Sequence, residues 1–331
     1  MKIAINGFGR IGRLVLRRLW DLKEYDVVAI NDLTDTKTLA YLLKYDSSHG
    51  RFCENYIKYD EENIYIKDKK IRVFAQKDPS LLPWNELGID IVVESTGFFR
   101  TKEKAHLHIQ AGAKKVIISA PATGEMKTIV YNVNHKILTK EDNIISAASC
   151  TTNCLAPVVK ILDDNFKLKL AYMTTIHSAT NDQRLLDLPH RDLRRGRSAL
   201  ANLIPTTTGA AKAVGLVLPH LNHKLDGCAL RMPTTTGSIV DLSVILERKV
   251  SVGEINDVVK KNANETIKYN DEPIVLKDIV GETHGSIFDA TLTKIVNVGS
   301  DQMVKVFSWY DNEYSYVCQL VRTLLYIGKL I

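Results

Sequence analysis

The stretch Lys2-Ile3-Ala4-Ile5-Asn6-Gly7-Phe8-Gly9-Arg10-Ile11-Gly12 decides the fold. A short apolar run over 2–6 meets three spaced glycines. Apolar residues at helical spacing follow: Ile11, Leu14, Val15, Leu19 and Leu22. The pattern predicts a strand, a tight turn and a helix over 11–22. In such a turn Gly7 permits the tight bend, Gly9 lets the backbone approach a pyrophosphate, and Gly12 lets helix and sheet pack closely. The helix start offers free N–H groups and a positive dipole end to an anion. The G-x-G-x-x-G spacing alone is a weak signal; its place between strand and helix points to dinucleotide binding.

The next strand, 25–31, ends in Ala29-Ile30-Asn31-Asp32, and Asp32 lies 20 positions beyond Gly12. An acidic residue there accepts hydrogen bonds from the adenosine ribose and repels a 2′-phosphate, which favours NAD over NADP. The bland alternative is a turn in which Asp32 caps a helix. Further buried strands are expected at 89–94, 115–119 and 144–148. This βαβ rhythm predicts an α/β, doubly wound parallel sheet. Beyond it the character changes. Longer strands are expected at 168–177, 228–232 and 239–246, with helices at 252–268 and 314–328. They fit an α+β domain whose sheet carries helices on one side. No repeat or long flexible linker separates the halves.

With 331 residues the chain suits two domains, and its 45% hydrophobic and 25% charged residues are ordinary for a globular protein. Five cysteines (53, 150, 154, 228 and 318) form an odd, irregular set, which argues against a disulfide scaffold and for a reducing, cytoplasmic setting. The N-terminus reads as a strand rather than a signal peptide, and no apolar run suggests a membrane span. The net charge is +6, densest at Arg191, Arg194, Arg195 and Arg197. That stretch suits a solvated loop or a small-anion site. Without interleaved aromatics it is a poor footprint for nucleic acid as a primary partner.

The run Ala148-Ser149-Cys150-Thr151-Thr152-Asn153-Cys154 lies where a strand should pass into a helix. A thiol there feels the positive helix end, which favours thiolate. Cys150 also suits a buried structural thiol, a metal ligand with Cys154, or a redox pair with it. No second Cys/His pair has matching metal spacing, and the C-x-x-x-C spacing is one residue too long for a thioredoxin-type motif. Pro157 is expected to kink any helix that starts near Ser149. His177, at the end of Thr174-Thr175-Ile176-His177-Ser178, is a candidate base, although spacing alone does not choose it among nine histidines.

The run 149–157, Ser-Cys-Thr-Thr-Asn-Cys-Leu-Ala-Pro, resembles the active-site signature of the phosphorylating glyceraldehyde-3-phosphate dehydrogenase family. The likeness covers essentially the whole chain, through Ile5 to Arg13, Ser95-Thr96-Gly97-Phe98-Phe99, Asp192-Leu193-Arg194-Arg195, Ile204 to Ala211, and Trp309-Tyr310-Asp311-Asn312-Glu313. It implies an NAD-binding Rossmann domain over 1–149, completed by a C-terminal helix over 314–331, and a catalytic domain over 150–313. It implies Cys150 as nucleophile and His177 as base. The cofactor would meet Gly7, Gly9, Arg10, Ile11, Gly12, Asp32 and Lys77, with Asn312 on the nicotinamide carboxamide and Ser119 and Tyr316 close by. Thr180 and Arg231 would hold the substrate phosphate. Ser149, Thr151, Thr208 and Gly209 would hold inorganic phosphate, with Arg195 nearby. No metal is implied.

The implied reaction takes glyceraldehyde 3-phosphate, phosphate and NAD⁺ to 1,3-bisphosphoglycerate and NADH through a cysteine thioester, in a homotetramer whose 178–201 segment reaches across subunits. Leu33 and Pro189 match the NAD-linked branch. Two departures stand out: Ala179 where many members have Tyr, and Thr234-Thr235-Thr236 where Thr-Pro-Asn is more usual. Erythrose-4-phosphate dehydrogenase shares the scaffold but lets water resolve the thioester; the Thr208-Gly209 context favours the phosphate-using enzyme. A binding protein that merely keeps the fold is the remaining alternative, and the intact cysteine, histidine and cofactor motifs argue against it.

Overall fold

The computed structural model describes residues 1–22 and 24–331, which divide into two compact units: 1–129 with 135–148 and 320–331, and 130–134 with 149–319. In the first unit the described residues form a nine-stranded sheet. Its order is Lys127–Thr128, Ile144–Ser146, Lys115–Ile118, Ile91–Glu94, Lys2–Asn6, Asp26–Asn31, Lys69–Phe74, Asn63–Ile66 and Ile57–Tyr59. The first seven strands run parallel, and the last two add an antiparallel ribbon at one edge. That ribbon departs from the purely parallel expectation. The central strands are covered on both faces: Ile3, Ala4 and Ile5 are fully buried, as are Ile91, Val92 and Val93. Such burial explains why they read as continuous apolar runs.

The turn helix runs Arg10–Trp20, capped by Gly9 without any side-chain hydrogen bond. A Cβ on Gly12 would lie 2.2 Å from the Gly7 carbonyl oxygen, so only glycine lets helix and turn meet there. At Gly9 a Cβ would meet nothing within 4 Å, so the space before the helix start is open.

The second unit is built on an eight-stranded mixed sheet among the described residues. Its order is Ile204–Thr207, Leu225–Met232, Leu168–Ser178, Ser238–Leu246, Asp301–Tyr310, Ser286–Asp289 and Ile267–Asn270, with Lys294–Val298 also paired to Asp301–Tyr310. The helix Cys150–Phe166 packs across this sheet. It runs on through Pro157, which lies inside the helix. Loss of one ladder bond at a proline costs about 3 kcal/mol. Burial of Leu155, Val158, Val159 and Leu162, at about 1.5–3 kcal/mol each, outweighs it.

The helix expected over 252–268 stops at Lys261. Asn264 Oδ1 accepts the N–H groups of Thr266 and Ile267, an Asx turn that competes with helical bonding, and Ile267–Asn270 becomes a strand beside Ser286–Asp289. The final helix spans Tyr314–Gly328, as its periodicity predicts.

Candidate active site

Strand ends of the first unit line a cleft of about 410 Å³, formed by Asn6, Gly7, Gly9, Asn31, Asp32, Leu33, Gln76, Lys77, Ser95, Thr96, Phe98 and Phe99. Asp32 is held firmly: Oδ2 accepts the Phe8 N–H at 2.7 Å and Oδ1 the Thr34 N–H at 3.0 Å. Each oxygen keeps a further lone pair for a hydroxyl donor. Open space before Gly9, an uncapped helix start and no acidic residue in its first turn suit a diphosphate. These residues therefore fit a dinucleotide. The Arg10 guanidinium instead turns to Asp46, at 2.8 Å, so Arg10 and Ile11 face the helix start through their backbone. Ser119 is half-buried at the end of its strand, its N–H bonded to the Glu94 carbonyl.

In the second unit Ser149 caps the cysteine helix, its Oγ accepting the Thr152 N–H at 3.1 Å. Such a cap contributes about 1 kcal/mol. The preceding Ala148 adopts φ +58°, a left-handed conformation for a residue with a Cβ, and it turns the chain into the helix. Cys150 thus opens the helix, with Sγ 3.4 Å from His177 Nε2. On the far side of the ring, His177 Nδ1 lies 2.7 Å from the Ser178 carbonyl and 2.6 Å from an Arg231 Nη1 nitrogen.

Electrostatics here differ from the sequence expectation. Burial pushes the Cys150 thiol up, despite the Arg231 charge, the Thr151 hydroxyl and the N–H groups of Thr151 and Cys150 pulling it back. Burial, aided by Arg231, pulls His177 down to about 3. The helix end and the Arg231 charge favour a thiolate, but desolvation outweighs them.

Tyr310 was not singled out by sequence. It is buried, its hydroxyl bonds Thr151 Oγ1 at 2.8 Å and Thr175 Oγ1 at 2.7 Å, and its ring meets His177 edge-on at 5.9 Å. The alternating burial of Val304, Val306, Ser308 and Tyr310 was the available clue. Asn312 Oδ1 accepts from the Gly237 N–H, Ser178 Oγ and Ser238 Oγ. The backbone N–H can only donate, so it fixes that atom as oxygen and leaves Nδ2 to donate elsewhere. Tyr316 is buried nearby, and its hydroxyl pKa is pushed well up by burial and by Cys150.

The phosphate candidates fall into two states. Gly209 caps the helix Ala210–Val217 without a side chain, and nothing would meet a Cβ placed there. Thr208 Oγ1 accepts the Ala210 N–H at 3.2 Å. The Thr180 backbone N–H donates to Gln183 Oε1. Arg195, by contrast, is already bound: Nε donates to Thr206 Oγ1, Nη1 to Asp182 and Nη2 to the Thr207 carbonyl. Thr151 points its hydroxyl into the protein, toward Tyr310. The first family departure touches the segment that carries the second, since the Ala179 N–H donates to the Thr234 carbonyl at 3.1 Å. Among the described residues no group of three or more His, Cys, Asp or Glu is placed to hold a metal, and no helix is long and apolar enough to cross a membrane.

A dinucleotide cleft on a parallel sheet and a cysteine–histidine pair on a mixed sheet define a class, the nicotinamide-linked oxidoreductases that work through a thiol. Comparison narrows it. The family model for glyceraldehyde 3-phosphate dehydrogenase, NAD binding domain, matches residues 1–102, and that for the C-terminal domain matches 149–312. A glyceraldehyde-3-phosphate dehydrogenase of Clostridium acetobutylicum is 57% identical over 331 residues, and one of Clostridium pasteurianum is 56% identical, each pairing covering 99% of both chains. One of Streptococcus pyogenes is 52% identical over 333 residues, covering 100% of this chain and 99% of the relative. The chain belongs to the glyceraldehyde-3-phosphate dehydrogenase family.

Proposed function

We propose that this chain oxidises glyceraldehyde 3-phosphate, with NAD⁺ and inorganic phosphate, to 1,3-bisphosphoglycerate through a thioester on Cys150. The observation that carries the reading is the 3.4 Å approach of Cys150 Sγ to His177 Nε2 at a helix start, in a chain whose relatives bear this enzyme's name. NAD, when bound, supplies the hydride acceptor. Gly7, Gly9, Gly12, Asp32 and Lys77 would hold its dinucleotide part, and the free Nδ2 of Asn312 would donate to its carboxamide.

Burial penalises a lone thiolate and a lone imidazolium alike. The proton therefore passes from Sγ to Nε2 as sulfur attacks the aldehyde carbon, and the pair stays neutral overall. The new oxyanion takes that proton back from His177, giving a hemithioacetal. His177 Nε2 removes the hydroxyl proton again as the carbon gives up its hydride, leaving a thioester. Phosphate oxygen then attacks the thioester carbon, the C–S bond breaks, and the departing sulfur recovers the proton from His177. Two anion sites must flank one sulfur. Arg231 and Thr180 suit the substrate phosphate. Ser149 and the open helix start at Thr208-Gly209 suit the attacking phosphate, with Arg195 contributing charge and Thr151 its backbone N–H.

We place the protein in the cytoplasm, on the strength of five unbridged cysteines. A homotetramer is supported by Leu185, Leu186, Leu188, Leu193 and Leu200, all exposed within one segment, as leucines destined for a subunit contact are.

The test is NADH formation from glyceraldehyde 3-phosphate. Turnover is expected with phosphate or arsenate and a single burst without either. Sustained turnover without both would mean that water resolves the thioester, and would overturn the assignment.

A further inference from the structure

Beneath the dinucleotide cleft lies a buried polar network that the proposed chemistry does not use. Glu94, 1% exposed, ends a central parallel strand, and His108, fully buried, projects from the helix Lys102–Gln110. The hydrogen directions in this network can be worked out. Trp84 Nε1–H, which only donates, lies 3.0 Å from His108 Nδ1, so that nitrogen accepts and the ring proton sits on Nε2. Nε2–H then faces Glu94 Oε2 at 3.1 Å.

The other end is fixed as firmly. The Gln76 backbone N–H donates to Asn31 Oδ1 at 2.8 Å, which sets the orientation of that amide. Asn31 Nδ2 consequently donates to Asn6 Oδ1 at 2.7 Å, and Asn6 Nδ2 donates to Glu94 Oε2 at 2.5 Å. Thr96 gives the second carboxylate oxygen two more bonds, from its N–H at 2.8 Å and its Oγ1–H at 2.5 Å. Four donors converge on Glu94, and the two on Oε2, Asn6 Nδ2 and His108 Nε2, lie 3.3 Å apart as neighbours on one acceptor. A carboxyl group receiving four donors has no lone pair left for a proton of its own, so Glu94 is an anion held by neutral groups.

The groups it holds are the cleft wall. Asn6, Asn31 and Thr96 line the cleft directly. Thr96 Oγ1 in turn accepts the Phe98 N–H at 3.0 Å, and Phe99 meets the His108 ring edge-on at 6.2 Å. We propose that Glu94 is a positioning residue for the dinucleotide, an anionic hub that fixes Asn6, Thr96 and the Thr96–Phe99 loop, with Trp84 and His108 setting the direction of its bonds. The proposal rests on the cofactor reading of this cleft.

Two substitutions break the hub and one keeps it. In Glu94→Gln an amide N–H₂ replaces one acceptor oxygen and faces an N–H on either side, that of Thr96 or those of Asn6 and His108. In His108→Leu the donor to Glu94 is gone and Trp84 Nε1–H loses its acceptor. In His108→Gln one amide both accepts from Trp84 and donates to Glu94. NAD affinity is measured by calorimetry and KM by steady-state assay. Each buried group left unmatched weakens a site by roughly tenfold. Glu94→Gln and His108→Leu are therefore expected to raise the Kd and KM for NAD about tenfold, while kcat at saturating NAD and KM for the aldehyde change far less. His108→Gln is expected to restore most of the affinity.

Wild-type affinity for NAD in folded Glu94→Gln or His108→Leu would overturn the proposal. So would equal losses in His108→Leu and His108→Gln, or losses that fall on kcat alone. If Glu94→Gln does not fold, the His108 pair still decides. A wild-type protein that binds NAD without oxidising the aldehyde would sink the assigned reaction and leave this test intact, because its primary readout is binding.

Discussion

The two buried polar centres of this protein are wired in opposite ways. Around Glu94 the bond directions are fixed: two backbone N–H groups and an indole admit no reversal, and four donors end on a single carboxylate. Around His177 roles compete. Nδ1 faces an acceptor, the Ser178 carbonyl at 2.7 Å, and an obligate donor, Arg231 at 2.6 Å, and it cannot serve both at once. The first arrangement suits a wall that must keep its shape. The second suits the proposed base: burial and Arg231 favour its neutral ring, while the Ser178 carbonyl favours a proton on Nδ1. Over-determination marks the wall of the cleft, and competition marks the proposed base.

The largest effect should come from removing the proposed nucleophile. Cys150→Ser is expected to lower aldehyde oxidation by roughly 10⁴-fold or more while NAD binding stays measurable. Near-normal turnover would show that the competing centre is not where chemistry occurs.

His177→Asn comes next, with an expected loss of about 10²–10³ in kcat and slower alkylation of Cys150 near neutral pH. The same variant reads out on stability. His177 is held to about 3 in the fold, against an ordinary value near 6.5. Its neutral burial therefore stabilises the fold fully above pH 6.5, and that contribution is lost as pH falls toward 3. Denaturant titrations across that window are expected to show a shallower acid limb for His177→Asn; identical limbs would mean that the ring is not buried neutral.

Tyr310→Phe is the mildest. It removes the hydroxyl shared by Thr151 and Thr175 and is expected to cost about 1–3 kcal/mol by chemical denaturation. A smaller change in the His177 pH profile should accompany it. A stability change below 0.5 kcal/mol, roughly the scale of a surface substitution, would show that the threonines find other partners.

The parallel core was legible because local signals agreed there. Strand, glycine turn and helix follow each other within 20 residues, and full burial on both faces makes the strands continuous apolar runs. The antiparallel ribbon was not legible. Its strands are short, mix Lys, Tyr, Asn and Ile, and connect to Lys69–Phe74 through Lys67 at φ +54° without a glycine to mark the turn. The helix end at Lys261 was missed because Asn264 acts through its side chain, a competition that apolar periodicity does not register.

At the thiol site, residue types and order pointed to Cys150 and His177. The sign of the pKa shifts did not follow from the sequence, since desolvation depends on what the fold stacks around a group. The same holds for Thr151 and Arg195, whose side chains are taken up by Tyr310 and by Asp182 and Thr206. Glu94 and His108 lie 14 positions apart and read as ordinary strand and helix residues until the sheet brings them together.

The tie between Ala179 and Thr234 has an evolutionary consequence. It joins one main chain to another, so it is indifferent to the side chain at either end. At 179 only proline, which lacks an N–H, would sever it. At 234 every residue brings the required carbonyl. Substitution latitude is therefore built into two positions that border the reaction centre, and a lineage can exchange bulky for small residues there while the geometry between the two strand ends is inherited unchanged.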